Sequence, residues 1–237
     1  MKKIHYFHFG LERTATTWIH ENLIKHPEVD YDLGKENLFL KFKKDVLLAN
    51  KVFEPEKYLE NYKDHYKDFN VSFCNNPEDW KLDEETIILL NDVTTHFGIS
   101  FRNPFDMIKS LYNLRTIHMS ASNYPIWLQQ NKNWLQTHLD QGYLDYVSIL
   151  DKIKSLIKKP LKIMFYDDIV LDQCKYFHDL QDFIGLTKYD EFVSRKINNR
   201  DIYRWKLEFN DTQIKQINNS IDNFSEYYQQ DFSHWKV

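Results

Sequence analysis

An α/β fold, three layers built on a mainly parallel sheet with helices on both faces, is what this sequence predicts, and three observations predict it. Short β-type runs alternate with segments of helical period along the chain. The first run, Lys3 to Phe9, passes through Gly10 and a polar turn into a helix opened by two adjacent hydroxyls, Thr16 and Thr17. A later run, Ile99 to Phe101, ends in Arg102-Asn103-Pro104, where the proline is placed to start the next helix.

The elements follow in order. Thr17 to His26 has apolar residues at helical spacing and stops before Pro27. Val29 to Leu33 is a second expected strand, delivering Gly34, Lys35 and Glu36 where the chain turns into a helix over Asn37 to Leu48. Pro55 to Tyr66 reads as a charged, solvated helix and Asn70 to Leu82 as polar and turn-rich, so 49–85 is expected to be an insertion or lid. Thr86 to Leu90 reads as a strand, and Pro104 to His118 as a helix. Further helices are expected over Trp127 to Leu139 and Tyr143 to Ile157, then a strand over Leu161 to Phe165. Cys174 to Ile184 closes on Gly185, and Thr212 to Phe224 is the last helix before an aromatic tail.

Composition narrows the function. With 237 residues and 42% hydrophobic content, 1–237 is read as one domain. No apolar run is long enough for a membrane span, and MKKIHYFHFG is too short and alternating for a leader, so a cytoplasmic protein is expected. Cys74 and Cys174 have no paired spacing, and His5 and His8 fall on alternate faces of a strand, so no metal is expected. A net charge of -4 excludes a nucleic-acid partner held by bulk charge. Any phosphate site therefore rests on a few placed cations, with Arg13 and Arg102 foremost. Aromatics at 16% fit either a Tyr- and Phe-rich core or a sugar-stacking surface, and composition does not choose.

Gly10 to Thr17 forms the predicted anion cradle, because the first N-H groups of a helix point outward with no intrahelical partner. Against the P-loop pattern G-x-x-x-x-G-K-[ST] it keeps the first glycine and last hydroxyl, with Ala15 for the second glycine and Thr16 for the lysine. The spacing G-x-x-[KR]-x-[GA]-T-T-W instead resembles the 5'-phosphosulfate loop of sulfotransferases that use 3'-phosphoadenosine 5'-phosphosulfate. Arg102, Asn103, Pro104, Asp106 and Ser110 are similar to that family's 3'-phosphate motif, R-[ND]-P-x-[DE]-x-x-x-S. Lys35-Glu36 with Leu38 and Phe39 resembles the K-E-x-x-F-F segment of glycan sulfotransferases.

The resemblance implies a sulfotransferase that moves a sulfuryl group from that donor to a hydroxyl of a carbohydrate or small molecule, leaving 3'-phosphoadenosine 5'-phosphate and needing no metal. It implies donor contacts at Gly10, Arg13, Thr14, Ala15, Thr16 and Thr17, with the 3'-phosphate at Arg102 and Ser110 and adenine at Trp18, whose other reading is a buried core tryptophan. Arg195, Lys196 and Arg200 are further candidates for the 3'-phosphate. Glu36 is the expected catalytic base, beside Lys35 and Arg13, and His96 in TTHF is the second candidate base. The short connection from His96 to Arg102 predicts a sheet that is locally abbreviated or paired differently from the family's. A P-loop kinase or nucleotidase, and a non-catalytic nucleotide-binding protein, are the alternatives. The sequence sets neither the acceptor nor the oligomeric state.

Overall fold

The computed structural model describes residues 4–29, 71–75, 81–193 and 205–237. The expected strand over 29–33 falls almost wholly outside them. So do Gly34, Lys35, Glu36, the helices expected over 37–48 and 55–66, and Arg195, Lys196 and Arg200. The chain divides into two compact units, Met1–Phe101 with Lys152–Arg195 and Arg102–Asp151 with Lys196–Val237.

Among the described residues the first unit holds a parallel sheet of four strands in the order β2-β1-β3-β4. β1 is Ile4–His8, β2 Val71–Asn75, β3 His96–Phe101 and β4 Leu161–Phe165. β1 is central, pairing Ile4 with Val71 on one side and Tyr6 with His96 on the other. β3 pairs with β4 from Phe97–Leu161 to Phe101–Phe165. Successive strand residues point to opposite faces. His5 to Phe9 and Phe97 to Phe101 are all buried, so both faces of this part of the sheet are covered, as the α/β reading requires. Phe9 stacks on Phe97 at 5.6 Å, and Phe7 meets the same ring edge-on at 6.1 Å.

Two expectations are corrected in this unit. Thr86 to Leu90 is not a strand but the middle of helix α2, Glu84–Val93. Asp83 Oδ1 accepts the Thr86 N-H at 2.9 Å, capping the helix, and Glu84 and Glu85 fill its first turn. Thr86, Ile87 and Leu90 are buried while Ile88 is 49% exposed, a 3-to-4 spacing that a five-residue apolar run conceals. Strand β2, by contrast, lies inside the stretch read as turn-rich. Its five residues, Val-Ser-Phe-Cys-Asn, are hidden among polar neighbours.

Helix α1, Thr16–Leu23, follows β1. The last helices of the unit are α7, Tyr166–Leu171, and α8, Gln173–Ile184, which ends on Gly185 at φ 84 as its left-handed cap.

In the second unit every described element is helical. α3, Pro104–Thr116, begins at the N-cap Asn103. The single helix expected over Trp127 to Leu139 is two, α4 (Asn123–Gln130) and α5 (Trp134–Asp140), parted by Asn131–Asn133. α6 is Tyr146–Leu156, and its first residues belong to this unit. α9, Asp211–Tyr228, opens on a reciprocal capping box between Asn210 and Gln213. Ile217, Ile221 and Phe224 form its buried stripe, and the aromatic tail folds back so that Phe232 and Trp235 pack at 4.4 Å, each near Phe224. None of the described helices is long and apolar enough to cross a membrane.

Candidate functional site

The site is set by topology. From β1 the described chain reaches β2 on one side and β3 on the other, so strand order reverses at β1. In open α/β sheets the ligand crevice lies outside the carboxyl ends of the strands at that reversal. The Gly10 to Thr17 loop leaves β1 at this end. Phe9 N-H donates to Gly98 O at 2.8 Å, carrying the pairing one residue beyond the strand.

The backbone then turns sharply. Gly10, Arg13 and Ala15 have φ of 31, 68 and 71, and two of the three described non-glycine residues at positive φ lie in this loop. Such alternation turns successive N-H groups inward into a concavity for an anion. Ala15, where the P-loop pattern has its second glycine, holds a glycine-like conformation as N-cap of α1, with no side-chain cap hydrogen bond. Leu11 is buried and anchors the loop. Thr14 is fully buried, and its hydroxyl donates to Leu11 O at 2.7 Å, so this side chain shapes the turn. Thr16 is buried, whereas Arg13 and Thr17 are half-buried at the rim.

Within β1 and β3 runs a buried polar chain with little trace in the sequence. Tyr6 Oη and His8 Nδ1 are 2.7 Å apart, and His8 Nε2 and Ser100 Oγ 2.9 Å. All three side chains are fully buried, and burial lowers the His8 pKa to about 3, so the ring is neutral, one nitrogen donating and the other accepting. Gly98 makes this packing possible, since a Cβ there would lie 2.0 Å from Tyr6 Oη and 2.8 Å from His8 Nδ1. The only sequence signal is a Tyr-x-His on one face of the strand opposite a glycine.

Trp18, expected at the adenine, is a core residue. It is 4% exposed, its Nε1-H donates to Val193 O at 2.9 Å, and its ring meets Tyr176, Phe177 and Phe192 edge-on. The residues after α8 thus strap α1 down. Val193 N-H donates to Asn22 Oδ1 at 2.5 Å, and Thr187 donates through N-H and hydroxyl to the Glu28 carboxylate at 3.0 and 2.8 Å, holding its pKa below the usual range.

His96 is the first residue of β3, at the N-terminal end of that strand, whereas the loop leaves the C-terminal end of β1. Its Nδ1 lies 3.0 Å from Thr95 Oγ1 and its ring packs edge-on against Phe183 at 5.3 Å. Among the described residues, the sheet places Arg13, Thr16 and Thr17 in one loop and His96 elsewhere.

Arg102 and Ser110 belong to the second unit. Tyr146 Oη-H donates to Arg102 O at 2.8 Å, fixing the backbone that carries the guanidinium. Asn103 caps α3 by accepting the Phe105 N-H at 3.0 Å and ties its amide to Trp235 O at 3.2 Å; Pro104 is the first helical residue. The helix then places Ser110 between one and two turns beyond Pro104, half-buried.

No family model matches the sequence, and no curated protein matches it. Among solved structures it is similar to a sulfotransferase from Alicyclobacillus acidocaldarius, with a TM-score of 0.64 at 13% identity over 99% of both chains. It is also similar to the sulfotransferase domain of the Synechococcus PCC 7002 olefin synthase, at a TM-score of 0.54 and 14% identity over 98% of this chain and 97% of that one. From strand β1 to the aromatic tail, the fold of this chain is that of the sulfotransferases.

Proposed function

We propose that this chain transfers a sulfuryl group from 3'-phosphoadenosine 5'-phosphosulfate to a hydroxyl of a carbohydrate or small-molecule acceptor by in-line displacement. The Gly10 to Thr17 loop carries this reading: it is an anion cradle at the reversal point of a parallel sheet, in a fold shared end to end with sulfotransferases. The residues fit an anionic donor. Backbone N-H groups at the α1 N-terminus, the helix dipole and Arg13 face negative charge with no lysine at position 16.

The donor brings an already activated sulfur-oxygen bond, so the protein's work is alignment and charge stabilisation. As the acceptor oxygen bonds to sulfur, the bond to the bridging phosphate oxygen breaks and that phosphate gains charge. Arg13, the loop amides and the Thr16 and Thr17 hydroxyls stabilise it. Glu36, with Lys35 beside it, takes the acceptor's proton. Arg102, as a bidentate fork, and Ser110 hold the 3'-phosphate. Arg200 is a further cation for that group, and Trp18, being core, is left out.

The test is thermal unfolding with nucleotides, followed by incubation with radiolabelled sulfate donor and a panel of glycans and alcohols. 3'-Phosphoadenosine 5'-phosphate is expected to raise the unfolding temperature, because a ligand of the folded state adds RT ln(1 + [L]/Kd). AMP with magnesium is expected to do far less. Equal stabilisation by the two would overturn the 3'-phosphate assignment, and stabilisation without label transfer to any acceptor would point to a binding protein.

A further inference from the structure

A second cluster of ligand atoms stands on the first unit, away from the phosphate loop in sequence. Cys174 and His178 lie four residues apart on α8 and therefore share one face of it. Asp190 returns to the same face after the Gly185 cap. Cys174 Sγ is 3.8 Å from His178 Nε2 and 3.9 Å from Nδ1, and His178 Nε2 is 2.8 Å from Asp190 Oδ1. The three ligand atoms all lie within 4.8 Å of one another.

We propose that Cys174, His178 and Asp190 bind a divalent transition-metal ion of zinc's class, with water at the fourth position. Zinc bonds of about 2.3 Å to sulfur and about 2.0 to 2.1 Å to nitrogen or oxygen give tetrahedral edges of roughly 3.6 and 3.3 Å. The sulfur-nitrogen pair already stands near its edge length. The nitrogen-oxygen pair, now a hydrogen bond, opens by about half an ångström. Asp190 can make that movement, for its side chain is 82% exposed. A thiolate with an imidazole selects zinc or cobalt over magnesium or calcium, which prefer all-oxygen shells. Cys174 and His178 are half-buried at the rim, which leaves an entry path.

The ion has a mechanical consequence. Asp190 belongs to the segment that holds Glu28 through Thr187 and α1 through Val193, so metal joins that segment to α8 and supports the helix that follows the phosphate loop. The site takes no part in the sulfuryl step, and the proposal stands independently of what the loop binds.

Chelator-treated full-length protein is titrated with cobalt(II). One equivalent is expected to produce a thiolate-to-cobalt charge-transfer band in the near ultraviolet with tetrahedral ligand-field bands, and zinc to erase both. Cys174→Ser should abolish the charge-transfer band, while Cys74→Ser retains it. Asp190→Asn, at an exposed position that leaves the fold intact, should weaken cobalt binding about tenfold or more. A missing band in the wild-type protein, a band that survives Cys174→Ser, or unchanged affinity in Asp190→Asn would each overturn the three-residue site.

Discussion

His8 shows how much one buried side chain can set. Its ring and that of His5 are neutral because burial lowers each pKa from 6.5 to about 3. Between those values the unfolded chain takes up protons that the folded chain refuses. Stability is therefore full above about pH 6.5 and falls as pH drops toward 3, by up to roughly 1.4 kcal/mol per pH unit for each histidine. Urea unfolding near neutrality and near pH 5 should show this loss, and His8→Gln should flatten the slope by one histidine's share. A slope unchanged in that variant would mean that His8 does not titrate this way. At the proposed base the expected outcome is kinetic. Glu36→Gln should lower turnover roughly a hundredfold or more with donor affinity nearly unchanged, while His96→Asn stays near wild type, since His96 begins β3 rather than ending it. A collapse in the His96 variant alone would move the role there.

Among the elements, α3 depends most on one cap. Asn103 both accepts the Phe105 N-H and holds Trp235 O, so Asn103→Ala removes an N-cap and a tie to the C-terminal aromatic cluster. Unfolding free energy should fall by about 1 to 2 kcal/mol, the upper range for a lost cap, as read from denaturant midpoints at unchanged slope. No change would mean that water replaces both bonds. α2 teaches the complementary lesson. Its run Thr86 to Leu90 is equally apolar as strand or helix, and what decided the matter was local chemistry at its start: Asp83 as cap and two glutamates in the first turn. That signal was present in the sequence, whereas β2 had none beyond Val71 and Phe73 two residues apart.

At the scale of the whole molecule, donor recognition should divide by residue. Arg13→Ala is expected to reduce thermal stabilisation by AMP and by 3'-phosphoadenosine 5'-phosphate alike; Arg102→Ala should reduce only the second, since the two nucleotides differ in the 3'-phosphate. Equal loss with both nucleotides in the Arg102 variant would remove it from the 3'-phosphate. The strand, loop and helix from Lys3 to His26 and the run Phe101 to Ser110 were legible in one dimension. Each is contiguous, and its backbone needs, a glycine turn, paired hydroxyls, a capped Asn-Pro start, are written in neighbouring residues. Trp18 was not legible, because an indole after a threonine pair has the same sequence whether it meets a ligand or Phe177 and Phe192, and only packing buries it. The Tyr6-His8-Ser100 chain and the Cys174-His178-Asp190 cluster were legible only in part, for Ser100 and Asp190 come to them from other segments of the chain. Local spacing thus determined where a strand turns through a loop into a helix, while the long-range pairing of β1 with β3 and the return of the chain after α8 decided which side chains stand together.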